Sequence, residues 1–451
     1  MKPICVCAPF VLALSIACFG QTEPRSVAAL DAAAAPLSVD EAVAAALESN
    51  PEIRAAVRRL SLAQMKTATA RSLDDPMLMM RDWDTPLRRP WDLNQAQLMV
   101  SLQQTFPSRQ KRDLRAGVAG EDAEVAASEL ESSRQEVSAE VRKACADLMR
   151  NADETRLQER QSSLLKEALA VALAQYTTGK APQADVLRAQ MALTRLSEQL
   201  IELEEEGETA RAQLNALMGR PPEEAIEIAG SYAVPAALPA IEELERTAIE
   251  HRPELAALRA QIVKSRDEGK LTRLAMKPDF TVGLGYMLMP TGSLARNAYM
   301  AEVSMNLPWL NRERHDGEAK QADAATGVSQ AELDARASAV FLEIRQAQIE
   351  VLAAERRVKL YRDTLLPQAE ASFKASTAAY QNNRAEFMSL IDAQNLLLDI
   401  QTASYKASAA TDAGMAQLER AIGAPIANPA NSNTKTSSNT ETNSNNGRRS
   451  K

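Results

Sequence analysis

The chain has 451 residues, a formal net charge of −8 and only 4% aromatic residues. So few aromatics exclude a large globular core of usual composition, and an acidic balance without a basic stripe excludes nucleic acid as the main partner. The two histidines, His251 and His315, lie far apart without ligand spacing, and no carboxylate pair stands out as acid and base, so no enzyme activity and no cofactor are expected.

The first stretch, MKPICVCAPFVLALSIACFGQ, reads as an export signal over residues 1–20. Lys2 is the positive start, Val6 to Ala17 the apolar run, and Ala17 to Gly20 hold small residues near a cut. Cys5, Cys7 and Cys18 all lie here, which leaves Cys145 alone or with one lipid-bearing partner and excludes a disulfide framework. Ser15-Ile16-Ala17-Cys18 resembles a bacterial lipoprotein signal, with Cys18 acylated, although Ser15 stands where Leu is usual; ordinary cleavage after Gly20 is the alternative. Residues 21–37 read as a linker. No other window holds the ~18 consecutive apolar residues of a spanning helix, so an exported chain of this kind is either soluble or contributes to a β-barrel.

From residue 38 to 230, and again from 231 to 426, the chain follows one plan. A short helix (Val39 to Ser49; Ile241 to His251) precedes Pro51 or Pro253, each suited to the first turn of the next helix, which runs to Leu73 or Leu274. Two strand-like segments follow in each copy, at 76–83 and 95–106, then at 278–289 and 298–308. Long helices come next. Ser108 to Ala181 contains no Pro, and ~70 residues of helix would reach ~105 Å. Trp309 to Leu366 is also free of Pro, and Pro367 predicts a kink or offset. Polar tips at 176–185 and 380–389 turn the chain into returning helices. Tyr176 to Tyr380 and Gln190 to Gln394 are both 204 residues apart, and Phe106-Pro107 and Leu307-Pro308 are 201 apart. Leu217-Met218-Gly219 and Ala421-Ile422-Gly423 keep the same register.

The returning helices carry seams. Leu193, Leu196, Leu200, Leu203, Gly207, Ala210, Leu214 and Leu217 step by three and four, as do Leu397, Ile400, Ser404, Ala407, Thr411, Gly414, Leu418 and Ala421. Such seams suit a plain coiled coil as well as a helical barrel. Residues 427–451 are low in complexity and read as a disordered polar tail.

The strands discriminate between the two. Phe280, Val282, Leu284, Tyr286 and Leu288 alternate with Thr281, Gly283, Gly285 and Met287; Tyr299, Ala301, Val303 and Met305 alternate with Met300, Glu302 and Ser304. Leu98, Val100 and Leu102 alternate with Gln97, Met99 and Ser101. Such period-two segments are the pattern of membrane strands, apolar to lipid and polar to a lumen. A soluble sheet with one buried face gives the same alternation. Trp83, Trp91 and Trp309 sit at or beside strand ends, where an aromatic girdle would place them. Four strands cannot close a barrel, and open edges in lipid leave backbone groups unpaired, so a membrane reading requires an oligomer. Met99, Met287 and Met300 fall on the polar side; as soft thioethers they are candidate lumenal contacts for Cu(I) or Ag(I), although Met is more often apolar filler.

The order helix, hairpin, long helix, tip, returning helix, written twice, resembles the TolC family of outer-membrane efflux proteins. The tip motifs Tyr176…Gly179…Asp185-Val186-Leu187…Ala189-Gln190 and Tyr380…Asp392-Ala393-Gln394 carry the likeness, with Gln104-Thr105-Phe106-Pro107 and Asn306-Leu307-Pro308 at the strand exits. The strand regions resemble the branch serving heavy-metal pumps. The resemblance implies a mainly α, internally duplicated protomer with a small β part, in a homotrimer with a twelve-stranded barrel in outer-membrane lipid and a periplasmic α-barrel of coiled-coil helices. It implies a periplasmic adaptor (membrane fusion protein) and an inner-membrane pump of the resistance-nodulation-division type as partners. It also implies a periplasmic gate: Asp392 matches one aspartate of the family pattern, Ser389 departs at the other, Asp185 and Arg188 are the first-repeat equivalents, and Arg384 lies near the usual basic partner. Adaptor docking is expected at Tyr176, Gly179, Lys180, Tyr380, Asn382 and Asn383. A structural coiled coil of the envelope, without a pore, is the rival reading.

Overall fold

The computed structural model describes residues 36–83, 97–180, 182–232, 238–289, 297–382 and 384–426. The export signal with Cys18, most of the linker, Trp91, Asn383 and the polar tail lie outside them.

Each half begins with a turn-and-helix unit. Strand β1 (Leu37–Ser38) leads into α1 (Val39–Ser49), where Ser38 and Glu41 form a reciprocal capping box. Helix α2 (Pro51–Ala70) starts at once, because the Asn50 carboxamide accepts from the backbone N–H of Glu52 and Ile53 while Pro51 has no N–H to satisfy. Strands β2 (Met77–Trp83) and β3 (Gln97–Phe106) form a hairpin, and α3 (Arg109–Thr177) then runs 69 residues without a break. Helix α4 (Gln183–Leu217) returns antiparallel to it, and β4 (Ile228–Ala229) pairs in parallel with β1. That two-residue pairing has no period to reveal it in the sequence.

The second half repeats the order with α5 (Ile241–His251), α6 (Pro253–Leu274), β5 (Phe280–Leu288) and β6 (Asn297–Met305). Both strands are shorter than the sequence pattern suggests, because Asn306 leaves the ladder to accept from the Asp279 backbone N–H, at 2.6 Å. A short 3₁₀ turn over Pro308–Asn311 leads into α7 (Arg312–Leu360). A π turn over Tyr361–Leu365 then precedes α8 (Leu366–Gln381), and α9 (Phe387–Ile422) returns. The π turn ends two residues before Pro367, which lacks an N–H and whose ring crowds the carbonyl four residues back; one wider turn absorbs both.

One four-stranded antiparallel sheet, ordered β2-β3-β5-β6, joins the hairpins of the two halves, with Val100 opposite Tyr286 at its centre. Two equivalent cores hold the helices. One gathers Ala46, Ile53, Val137, Val141, Cys145, Leu214 and Met218; the other gathers Leu244, Leu255, Val340, Ile344, Leu418 and Ile422. Helix α3 contacts α2, α4, α6 and α9, and α7 contacts α6 and α9, so the halves stand side by side.

The cations that open α3 and α7 oppose the helix dipole. Carboxylates of the protein compensate several of them. Lys111, 4% exposed, donates to Asp279 and to the Lys277 carbonyl, each at 2.8 Å; Asp113 faces Arg71 and Arg109; Arg314 pairs with Glu318 at 2.8 Å.

Candidate functional site

The sheet has two chemically distinct faces. One exposes Leu102, Val282, Leu284, Tyr286, Tyr299 and Val303, with Leu284 68% and Tyr299 90% exposed. Tyr286 and Tyr299 are cross-strand partners whose rings meet edge to face, 5.6 Å between centroids. The other face carries Met99, Ser101, Gln103 and Thr105 opposite Met287, Gly285, Gly283 and Thr281. Thr105 and Thr281 are bonded hydroxyl to hydroxyl at 2.9 Å, and Gln103 donates to Glu302 at 3.2 Å. A water-soluble sheet would bury the first face. Here the apolar face is the open one, and among the described residues neither β2 nor β6 has a partner on its outer edge. Hydrocarbon is the solvent that favours this arrangement.

At the other end of the long helices the two tips pack together. Leu165 and Ala172 of α3, Val186 and Ala189 of α4, and Phe387 and Ile391 of α9 form one buried cluster. Tyr380, expected as a docking residue, belongs to this cluster: its ring meets Phe387 edge to face at 5.6 Å, and its hydroxyl donates to Gln175 Oε1 at 3.1 Å. Burial, aided by the Asp185 charge, pushes the Tyr380 hydroxyl above its ordinary pKa. The residues left at the surface are Tyr176, Thr177, Gly179, Lys180 and Asn382. Gly179 makes the first turn with φ +72°, and Asn382 folds back to donate to the Ala378 carbonyl at 2.7 Å.

The gate candidates separate into two kinds. Asp185 is largely shielded and faces Arg188 at 3.6 Å on the same helix. Arg384, Ser389 and Asp392 are exposed, with Ser389 and Asp392 three residues apart on one face of α9. Among the described residues no hydrogen bond or ion pair joins Asp185 or Arg188 to Arg384, Ser389 or Asp392, so the five candidates do not form one cluster.

One buried charge network is not legible in the sequence. Arg252 is 1% exposed and donates to the Ala421 carbonyl at 3.0 Å, to Glu343, and to Glu254 at 2.5 Å, while Arg336 reaches Glu343 at 3.0 Å and Glu254 at 3.5 Å. Burial works to raise Glu254, but its bond to Arg252 and the charges of Arg252 and Arg336 outweigh it and hold the carboxyl below its usual range. The register of Asn50-Pro51 with Arg252-Pro253 was the available signal.

Comparison with known proteins identifies the family and the fold. The family profile described as outer membrane efflux protein matches residues 42–220 and again 244–424. The chain is 24% identical over 365 residues to the cobalt-zinc-cadmium resistance protein CzcC of Cupriavidus metallidurans, covering 81% of this chain and 85% of that one. Its fold is similar to that of the outer membrane protein VceC of Vibrio cholerae, with a TM-score of 0.70 and 18% identity over 86% of this chain and 97% of that one. It is similar also to CusC, with a TM-score of 0.73 and 13% identity over 86% and 92% of the two chains. The chain therefore belongs to the outer membrane efflux protein family, as a non-enzymatic efflux channel seated in the outer membrane with its helices extending into the periplasm.

Proposed function

We propose that this chain, as a homotrimer, is the exit duct for heavy-metal cations delivered by a resistance-nodulation-division pump through a membrane fusion adaptor. Efflux channels of this family work with an adaptor and an inner-membrane pump; the pump type and the cargo are the finer part of the reading. The observation that carries the duct is the sheet: an exposed apolar face and the outer edges of β2 and β6, which no strand among the described residues covers, are satisfied when the β6 of one copy meets the β2 of the next. Metal cargo is supported by the likeness to CzcC, a protein named for cobalt, zinc and cadmium resistance.

In this reading the exposed Asp392 and Ser389, with the Asp185–Arg188 pair and Arg384, form the periplasmic constriction, and threefold repetition turns each carboxylate into a ring that favours cations. The adaptor grips the exposed tip residues Tyr176, Gly179, Lys180, Asn382 and Asn383, while Tyr380 holds the two tips in register. Purified protein should run as a heat-labile trimer and conduct ions in a planar bilayer. A monomer without conductance would overturn the duct. Deleting the gene should sensitise cells to cobalt, zinc or cadmium, and sensitivity to organic drugs alone would reject the metal assignment.

A further inference from the structure

Ser101 lies at the middle of β3, 1% exposed, and its Oγ has no hydrogen-bond partner. Buried polar atoms are nearly always paired, so an orphan hydroxyl points to something that binds there. The strand register fixes what surrounds it. Met79 is its partner on β2, Gly285 its partner on β5, and Met99 is two residues before it on the same face. Met287 is the diagonal neighbour beside Met99, and Met300 pairs with Gly285 from the far side. Directly opposed residues have Cβ atoms about 5 Å apart and diagonal ones lie within about 8 Å, which brings Met79, Met99 and Met287 to Ser101; Met300 stands two strands away, roughly 10 Å by the strand spacing, and reaches toward it over Gly285, which has no Cβ.

Glycine makes that convergence sterically feasible. A Cβ at position 285 would stand 3.0 Å from the Ser101 Cβ, in the space between Ser101 and Met300. The adjoining row shows what a missing side chain permits, because Gln103 reaches across Gly283 to Glu302. All four methionines share the face opposite Leu102, Leu284 and Tyr299. Met99 itself is 2% exposed. The adjoining row toward the helices carries Glu302, while Arg81 stands in the row of Met99 and Met287, directly opposite Met99.

We propose that the thioethers of Met79, Met99, Met287 and Met300, with the Ser101 hydroxyl, form a wall site for a soft monovalent cation, Cu(I) or Ag(I). Thioethers select such ions over zinc and cobalt, and neutral donors bind without holding the ion by charge. A cation moving outward passes Glu302 and then reaches the sulfur donors, where Arg81, level with Met99, weakens retention as conduction requires. The position of the site in a lumen rests on the channel reading; the clustering of donors does not.

The test uses the full-length protein in detergent micelles, with methionine methyl groups labelled with carbon-13 and silver nitrate as the probe. The methyl signals of Met79, Met99, Met287 and Met300, identified from single Met→Leu variants, are expected to shift together, saturating at one Ag(I) per chain, while zinc chloride leaves them in place. Met99→Leu should move the remaining three to a higher silver concentration, by about tenfold or more. Shifts spread evenly over all methionines, an equal response to zinc, or three signals unaffected by Met99→Leu would each overturn the site. Bilayer conductance of the same preparations reports the duct separately, so loss of the silver response with conductance intact sinks only the site.

Discussion

Asn50 and Arg252 hold equivalent places in the two halves and solve one problem with different chemistry. Each binds the carbonyl at the end of its returning helix, Leu217 for the Asn50 carboxamide at 2.8 Å and Ala421 for the Arg252 guanidinium at 3.0 Å. The carboxamide is neutral and also caps its own helix, so Asn50→Ala should cost ~1–2 kcal/mol, read from thermal melts. The guanidinium is a buried charge that needs Glu254 and Glu343, and removing it leaves both carboxylates to Arg336 alone. Arg252→Ala should therefore cost more, roughly 3 kcal/mol. Its acid dependence has a definite sign. A Glu254 carboxyl held low in the folded state contributes stability that is fully present above its ordinary value of 4.5 and is lost as pH falls through its lowered folded value. Melting temperature should fall on acidification below that range in the native protein, and fall less steeply in Arg252→Ala. Equal slopes would remove Glu254 from the account. At the tip, Asp392→Ala should weaken block of the channel by multivalent cations, and unaltered block in a bilayer recording would reject its role in the constriction.

At the scale of elements, the ends of the helices set the connections. Gly219 and Gly423 close α4 and α9 in the left-handed region, at φ +66° and +74°, each pressed against the start of its half. A Cβ at Gly219 would stand 2.6 Å from the Ser49 carbonyl oxygen, and at Gly423 2.8 Å from that of His251. Gly179 at the tip has the same backbone, φ +72°, with nothing within 4 Å of an added Cβ. Gly179→Ala should thus cost only the conformational penalty, ~1–2 kcal/mol, while Gly219→Ala and Gly423→Ala should cost distinctly more because backbone must move. Comparative thermal unfolding of the three variants checks this, and equal losses would show that the contacts yield freely. The seams follow the same logic. Ala407, Thr411, Gly414, Leu418 and Ala421 are buried, and at Gly414 an added Cβ would stand 3.0 Å from Val351, so small residues let α9 lie close on α7.

For the whole molecule, the decisive asymmetry is a sheet whose exposed face is apolar and whose inner face is polar. Leu284→Arg places a charge on the outer face and should cost ~2–4 kcal/mol at mid-membrane depth, lowering the yield of heat-labile trimer on gels. Ser304→Arg, on the opposite face of the neighbouring strand, should leave trimer yield unchanged and alter conductance instead. If both variants assembled equally well, the outer face would not be in contact with lipid.

The plan of the molecule was legible in the chain because it rests on local, periodic signals. Two-residue alternation marked Phe280 to Leu288 as a strand, Pro51 and Pro253 marked helix starts, Pro367 marked an interruption, and a nearly constant offset tied the halves together. Such signals depend on the backbone's own repeat and its turn chemistry, which neighbouring residues already specify. The tertiary structure decided what distant residues do to one another. Only packing put Tyr380 into the tip core, turned Arg252 into the centre of a charge network, answered Lys111 with Asp279, and set four methionines around Ser101. Those contacts join residues up to two hundred positions apart, and no period in a linear chain encodes which side chain arrives opposite which.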